Sequence, residues 1–148
     1  MKFKGSIEPN CDGFEELFEA VVSQLAGSET QLAVWLLQNN IDFSLIEPQP
    51  IGAESPFPAS NSVLAGSSLL IKLDSSNVEK VVQLFTDNDR LGFEILHIEI
   101  EAKGFVQFAA YDHFSAVFFG HEISLEMLEA LQSREIIEGY QIFDSNEL

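Results

Sequence analysis

Residues 93–111 read Phe93-Glu94-Ile95-Leu96-His97-Ile98-Glu99-Ile100-Glu101-Ala102-Lys103-Gly104-Phe105-Val106-Gln107-Phe108-Ala109-Ala110-Tyr111. Leu96, Ile98 and Ile100 alternate with His97, Glu99 and Glu101, the period of two that a strand shows when its two faces meet different surroundings. Ala102-Lys103-Gly104 supplies the glycine that a tight hairpin turn wants, and Phe105 to Tyr111 runs back. The stretch therefore predicts an antiparallel hairpin. Beyond it, Phe114 to Phe119 is apolar on both faces, as a central strand would be. Asp112-His113 marks either a bulge or a true break before it.

Working toward the C-terminus, Ser124 has the chemistry of a helix N-cap, and Leu125, Leu128 and Leu131 follow at helical spacing. Gly139 precedes a last strand, Tyr140 to Phe143. Working back from the hairpin, Ser68 to Leu73 is a short apolar strand. Ser76-Asn77-Val78-Glu79 has capping-box spacing, and Val78, Val81, Val82 and Phe85 form one apolar stripe. Asp87 to Gly92 turns the chain. From residue 68 the order is strand, helix, strand, strand, helix, strand, with one strand of the middle part open to division. This order predicts an α+β fold with a mostly antiparallel sheet and helices on one face, in the ferredoxin-like order.

The N-terminal part reads as two additional helices. Asp12 with Glu15 suggests a capping box, followed by Phe14, Leu17, Phe18, Val21 and Leu25, and Gly27 is a stop. Ser28-Glu29-Thr30-Gln31 repeats that spacing before Leu32 to Leu37, which is apolar nearly all round and reads as a helix buried on several sides and ended by Asn39-Asn40. Ile41, Phe43 and Leu45 alternate with polar residues and suggest a strand over Ile41 to Glu47. Residues 48–67 carry Pro48, Pro50, Pro56 and Pro58 among Ser, Ala and Gly. They form a long loop or hinge between the N-terminal helical part and the main sheet, with room for an irregular edge strand. The length, 148 residues, fits a single domain over 1–148.

Composition limits the function. The chain holds 24 carboxylates against 7 Lys and Arg, a formal charge of −17, yet 46% of its residues are hydrophobic and 13 are Phe. Acids should coat a folded body rather than solvate a tail. Phosphate would be repelled, which argues against direct nucleic-acid binding and against an anionic membrane surface. The only cysteine, Cys11, allows no internal disulfide. With no signal-like apolar stretch after Met1 and no run long enough to span a bilayer, a cytoplasmic protein is expected.

Motifs for chemistry are sparse. His121-Glu122 begins the helical zinc pattern, but position 125 is Leu rather than His. Asp87-Asn88-Asp89 begins a calcium-loop pattern, but position 98 is Ile where the closing Glu belongs. Cys11 has no signature around it, no Gly-x-Ser-x-Gly elbow occurs and no glycine-rich phosphate cradle occurs. No catalytic residue, metal or cofactor is expected. Glu99 and Glu101 share a strand face about 6.6 Å apart at the usual rise. The plainer account is that His97, Glu99 and Glu101 line the solvent face of a sheet.

Glu122, Glu126 and Glu129 crowd the last helix, where like charges three or four residues apart are mildly destabilising. No base stands near them in sequence until Arg134. Tolerated repulsion of this kind points to a complementary partner, or else to ordinary solvation. The expectation is a protein-binding module that docks on and neutralises a basic protein, such as a toxin or nuclease domain, through Glu99, Glu101, Glu122, Glu126 and Glu129. It would then serve as an immunity protein. Two alternatives are a non-catalytic regulator or chaperone-like protein that binds through an apolar surface, and a small α+β enzyme with a site near His97, His113 and Tyr111.

Overall fold

The computed structural model describes residues 3–37, 41–57, 60, 63–64 and 66–143. The Asn39-Asn40 stop and Pro58 lie outside them. The hairpin forms as its sequence predicts. β5 (Ile95–Ala102) and β6 (Phe105–Tyr111) pair antiparallel, with Ala102 opposite Phe105. Lys103 and Gly104 between them have φ of 55° and 88°, so both turn residues are left-handed, as a type I′ hairpin requires. Between the pairs Ile100–Phe108 and Glu101–Val106 the ladder skips Gln107, a bulge on β6.

Six further strands join this hairpin: β1 (Gly5–Pro9), β2 (Thr30–Leu36), β3 (Gln49–Ile51), β4 (Ser67–Lys72), β7 (Ala116–Phe119) and β8 (Ile137–Ile142). The result is one open antiparallel sheet in the order β3-β4-β2-β5-β6-β7-β1-β8. Pro50 sits in the three-residue edge strand β3, where its missing N–H breaks no internal ladder. α1 (Phe14–Leu25), α2 (Val78–Thr86), the single turn α3 (Arg90–Phe93) and α4 (Leu125–Ser133) complete the chain.

The helices share one face of the sheet. Leu17, Phe18, Val21, Val22 and Leu25 of α1 are all buried against it, together with Val81 and Phe85 of α2 and Leu128 and Leu131 of α4. Each such side chain contributes about 1.5–3 kcal/mol by leaving water. The Phe18 and Phe85 rings stack at 5.0 Å and join α1 to α2. Burial rather than capping sets α1, because its N-cap position is Gly13 and no side chain closes it. On α4 the expected cap holds: Ser124 Oγ accepts from the Met127 N–H at 3.1 Å.

Four sequence expectations need correction. The second N-terminal helix is strand β2. A strand buried on both faces and a helix buried all round give the same unbroken apolar run, and the seven residues of β2, with Val34 and Trp35 among them, are the length and chemistry of a strand. Ile41 to Glu47 is not a strand: Ile41, Phe43 and Ile46 are buried around a 3-10 turn at Ser44–Ile46. The ferredoxin-like order is not found: α3 and β7 are added along the chain, and the sheet order differs. β4 pairs with β2 and β3, and β8 pairs only with β1, because β1 and β2 insert among the later strands. Finally, residues 48–67 do not separate a helical part from a sheet, since both ends of that segment belong to the same sheet. At Asp112, His113 and Phe114, φ values of 52°, 56° and 66° make a true break before β7.

Candidate functional site

The sheet face away from the helices is partly covered by the segment that follows β3, which crosses it as a strap. Glu54 bridges to Val63, and the Leu64 N–H donates to the Ala53 carbonyl at 2.9 Å. Ser68 Oγ on β4 donates to the Ile51 and Gly52 carbonyls, each at 2.7 Å. Phe57 is driven down into a small apolar cluster with Ala33, Trp35, Val106 and Ala109. This is the irregular edge structure for which the Pro-rich stretch left room.

Beneath the strap lies Glu99, wholly buried. It stands in register between Ala33 on β2 and Ala109 on β6, whose short side chains leave room above the sheet. Three hydroxyls converge on its carboxyl group. Ser55 Oγ donates to Oε1 at 2.6 Å, Ser60 Oγ donates to Oε2 at 2.9 Å, and the Tyr111 hydroxyl donates to Oε2 at 2.7 Å. Three donors on two oxygens suit a carboxylate, which only accepts. Two of the three come from the strap, so Glu99 ties the strap to the middle of the sheet.

The solvent face expected for His97, Glu99 and Glu101 is therefore corrected in part: His97 and Glu99 are buried, Glu99 beneath the strap, whereas Glu101 is half-buried beside Gln31, Lys72 and Asp74. His97 is buried too, its Nδ1 accepting from the Asp112 N–H at 3.1 Å, which requires that nitrogen to be bare. Burial holds its pKa below the ordinary 6.5, opposed by the carboxylates of Asp112 and Glu99 and assisted by His113. Glu101 is half-buried with Oε2 shielded and unbonded, and burial raises its pKa above 4.5. His97 and Glu99 are shut away from solvent, while Glu101 keeps part of its surface at a groove with Lys72 and Asp74.

The other three acids are placed differently. Glu122, Glu126 and Glu129 are exposed around and along α4, which lies beside α1. The Ser124 N–H donates to Gln24 Oε1 at 3.1 Å near one end, and Arg134 pairs with Glu16 at 3.4 Å near the other. Lys103 of the hairpin turn reaches Glu122 at 3.6 Å, and the Tyr140 hydroxyl donates to Glu129 at 3.3 Å. The structure thus brings Glu16 of α1 beside the α4 acids, with Glu19 one turn further on, toward α2. Sequence reasoning missed this because the two helices are about 100 residues apart in the chain. Residues 11–27 and 121–138, which contain α1 and α4, hold nine carboxylates and one basic side chain, Arg134.

Cys11 and His121 are both exposed. Among the described residues no three His, Cys, Asp or Glu side chains converge as a metal-ligand set, and no helix is long and apolar enough to cross a membrane. Several grooves mark the surface of the described residues. One of about 430 Å³ beside β4 is lined by Lys72, Asp74 and Lys80 among others. One of about 500 Å³ crosses β7, β1 and β8. One of about 450 Å³ lies between α1 and α2. Compared with known family models, with curated proteins and with solved structures, the chain matches none.

Proposed function

We propose that the chain is an acidic binding module that docks on a basic protein through its helical layer and neutralises it, as an immunity protein does with a nuclease-type toxin. The observation that carries this reading is the charge of α1 and α4: the two helices lie side by side, and the segments 11–27 and 121–138 that hold them carry nine carboxylates against one arginine. A rigid face of one sign raises the encounter rate with an oppositely charged partner and repels phosphate. The docking set is Glu122, Glu126 and Glu129 with Glu16 and Glu19. Glu99 leaves it because the strap covers it, and Glu101 because it stands half-buried on the sheet rather than on the helical layer.

The alternative of an apolar docking surface has less support. The large exposed apolar side chains Leu37, Leu45, Val63, Phe93, Phe105 and Ile142 stand on separate elements; Leu37 comes near Phe93, its N–H donating to the Glu94 carbonyl at 2.9 Å, but Phe93 and Phe105 flank opposite ends of β5. The alternative of an enzyme near His97 has less support, since among the described residues none of the grooves noted above is lined by His97, His113 or Tyr111.

The test is cross-linking in cells followed by capture of the partner. The expected partner is basic, is released as salt rises toward about 0.5 M, and is lost from E126K/E129K. Equal capture by the charge-reversed chain at high salt would refute the proposal.

A further inference from the structure

The groove between α1 and α2 belongs to the same helical layer, and its chemistry is more specific than acidity. One wall is Glu19 and Ser23 of α1, four residues apart and so one turn apart on one face. The other is Glu79 and Gln83 of α2, with the same spacing. Between them run Val78 and Val82, whose inner surfaces rest on the core while their outer surfaces line the groove. The groove therefore has an apolar floor one helical turn long and one carboxylate on each wall. Among the described residues neither Glu19 nor Glu79 joins an ion pair, whereas Glu16 and Glu122 are already engaged by Arg134 and Lys103.

An apolar floor between unpaired carboxylates matches a long cationic side chain. Its methylene stem covers valine surface while its head stays at the wet rim beside a carboxylate. Arginine fits better than lysine, because its planar guanidinium is less strongly hydrated and can bond a carboxylate through two parallel N–H groups. We propose that the α1–α2 groove is the arginine-reading pocket of the docking face, and that the basic partner inserts an arginine-bearing segment there. This inference rests on the docking reading above. It adds that binding is centred on Val78 and Val82 rather than spread along α4.

The test is NMR titration of the labelled chain with acetyl-hexa-arginine amide at about 0.05 M salt, where exposed charges are weakly screened. The methyls of Val78 and Val82 should shift first. E19Q/E79Q should weaken binding about tenfold, as loss of charge-assisted bonds implies. E126Q/E129Q should weaken it only about twofold, through long-range charge. Hexa-lysine should bind less tightly than hexa-arginine. Shifts centred on α4 with Val78 and Val82 unmoved would overturn the pocket and leave the docking face standing. Shifts scattered over the whole surface, equal in both variants, would overturn both.

Discussion

Ser60→Ala tests whether Glu99 holds the strap to the sheet. Ser60 is buried, and its hydroxyl gives Glu99 Oε2 a bond of 2.9 Å. Its removal leaves that oxygen with the Tyr111 hydroxyl at 2.7 Å and little else in reach of water, since Glu99 is 0% exposed. A hydrogen bond to a charged group is worth about 1.5–3 kcal/mol. With a urea slope near 2 kcal/mol/M for a chain of this size, the unfolding midpoint should fall by about 0.7–1.5 M. The melting temperature should fall by about 3–12 °C. Trp35, the single tryptophan, is buried in the apolar cluster that Phe57 seals, so its emission follows the transition directly. Tyr111→Phe removes the other donor to the same oxygen and should cost about as much. Because the two donors share one acceptor, the double variant should depart from additivity by about 0.5 kcal/mol or more. A midpoint for Ser60→Ala within about 0.5 kcal/mol of the parent, with strictly additive behaviour in the double variant, would refute this account of Glu99.

Three other outcomes follow from the same structure. A Cβ placed on Gly5 would lie 2.1 Å from the Gln141 carbonyl oxygen, a backbone atom of the edge strand, so Gly5→Ala should destabilise by about 1–3 kcal/mol, and an unchanged melting temperature would show that β1 and β8 pair less closely. His97 binds its proton less readily when folded than at its ordinary 6.5; below that value the unfolded chain takes up more protons, and stability falls as pH drops toward the folded value. An imidazole titration by NMR with its midpoint at or above 6.5 would contradict this. Glu101 carries the opposite sign: its pKa is raised above 4.5 by burial, so its contribution worsens as pH rises through that window, and Glu101→Gln should raise the melting temperature at neutral pH but leave it little changed near pH 4.

How much of this was legible in advance differs by element. α1, α2 and α4 were readable because their apolar residues recur at helical spacing beside charged ones. The β5–β6 hairpin was readable from alternation and one glycine. β2 was not, because Leu32 to Leu37 shows no polar face, and periodicity needs a polar face to declare itself. β1 escaped notice because Gly5 to Pro9 is five residues long, with few apolar side chains to form a pattern. On the acidic face, each helix showed its own carboxylates, but nothing local tells which helices lie together.

By itself the sequence determined the charge of −17, the hairpin, the amphipathic helices and the antiparallel character of the sheet, since these depend on residues within a few positions of one another. The tertiary structure alone decided where β1 and β2 insert, that the Pro-rich segment folds back over Glu99, and that α1 and α2 enclose a groove with a carboxylate on each wall. Those depend on contacts between residues tens of positions apart, as with Ser55 and Glu99, which are 44 apart. Alternation along a strand reports that its two faces differ. It cannot report what comes to rest on them, so a glutamate such as Glu99 that reads as wet is dry once a distant loop supplies hydroxyls to satisfy it.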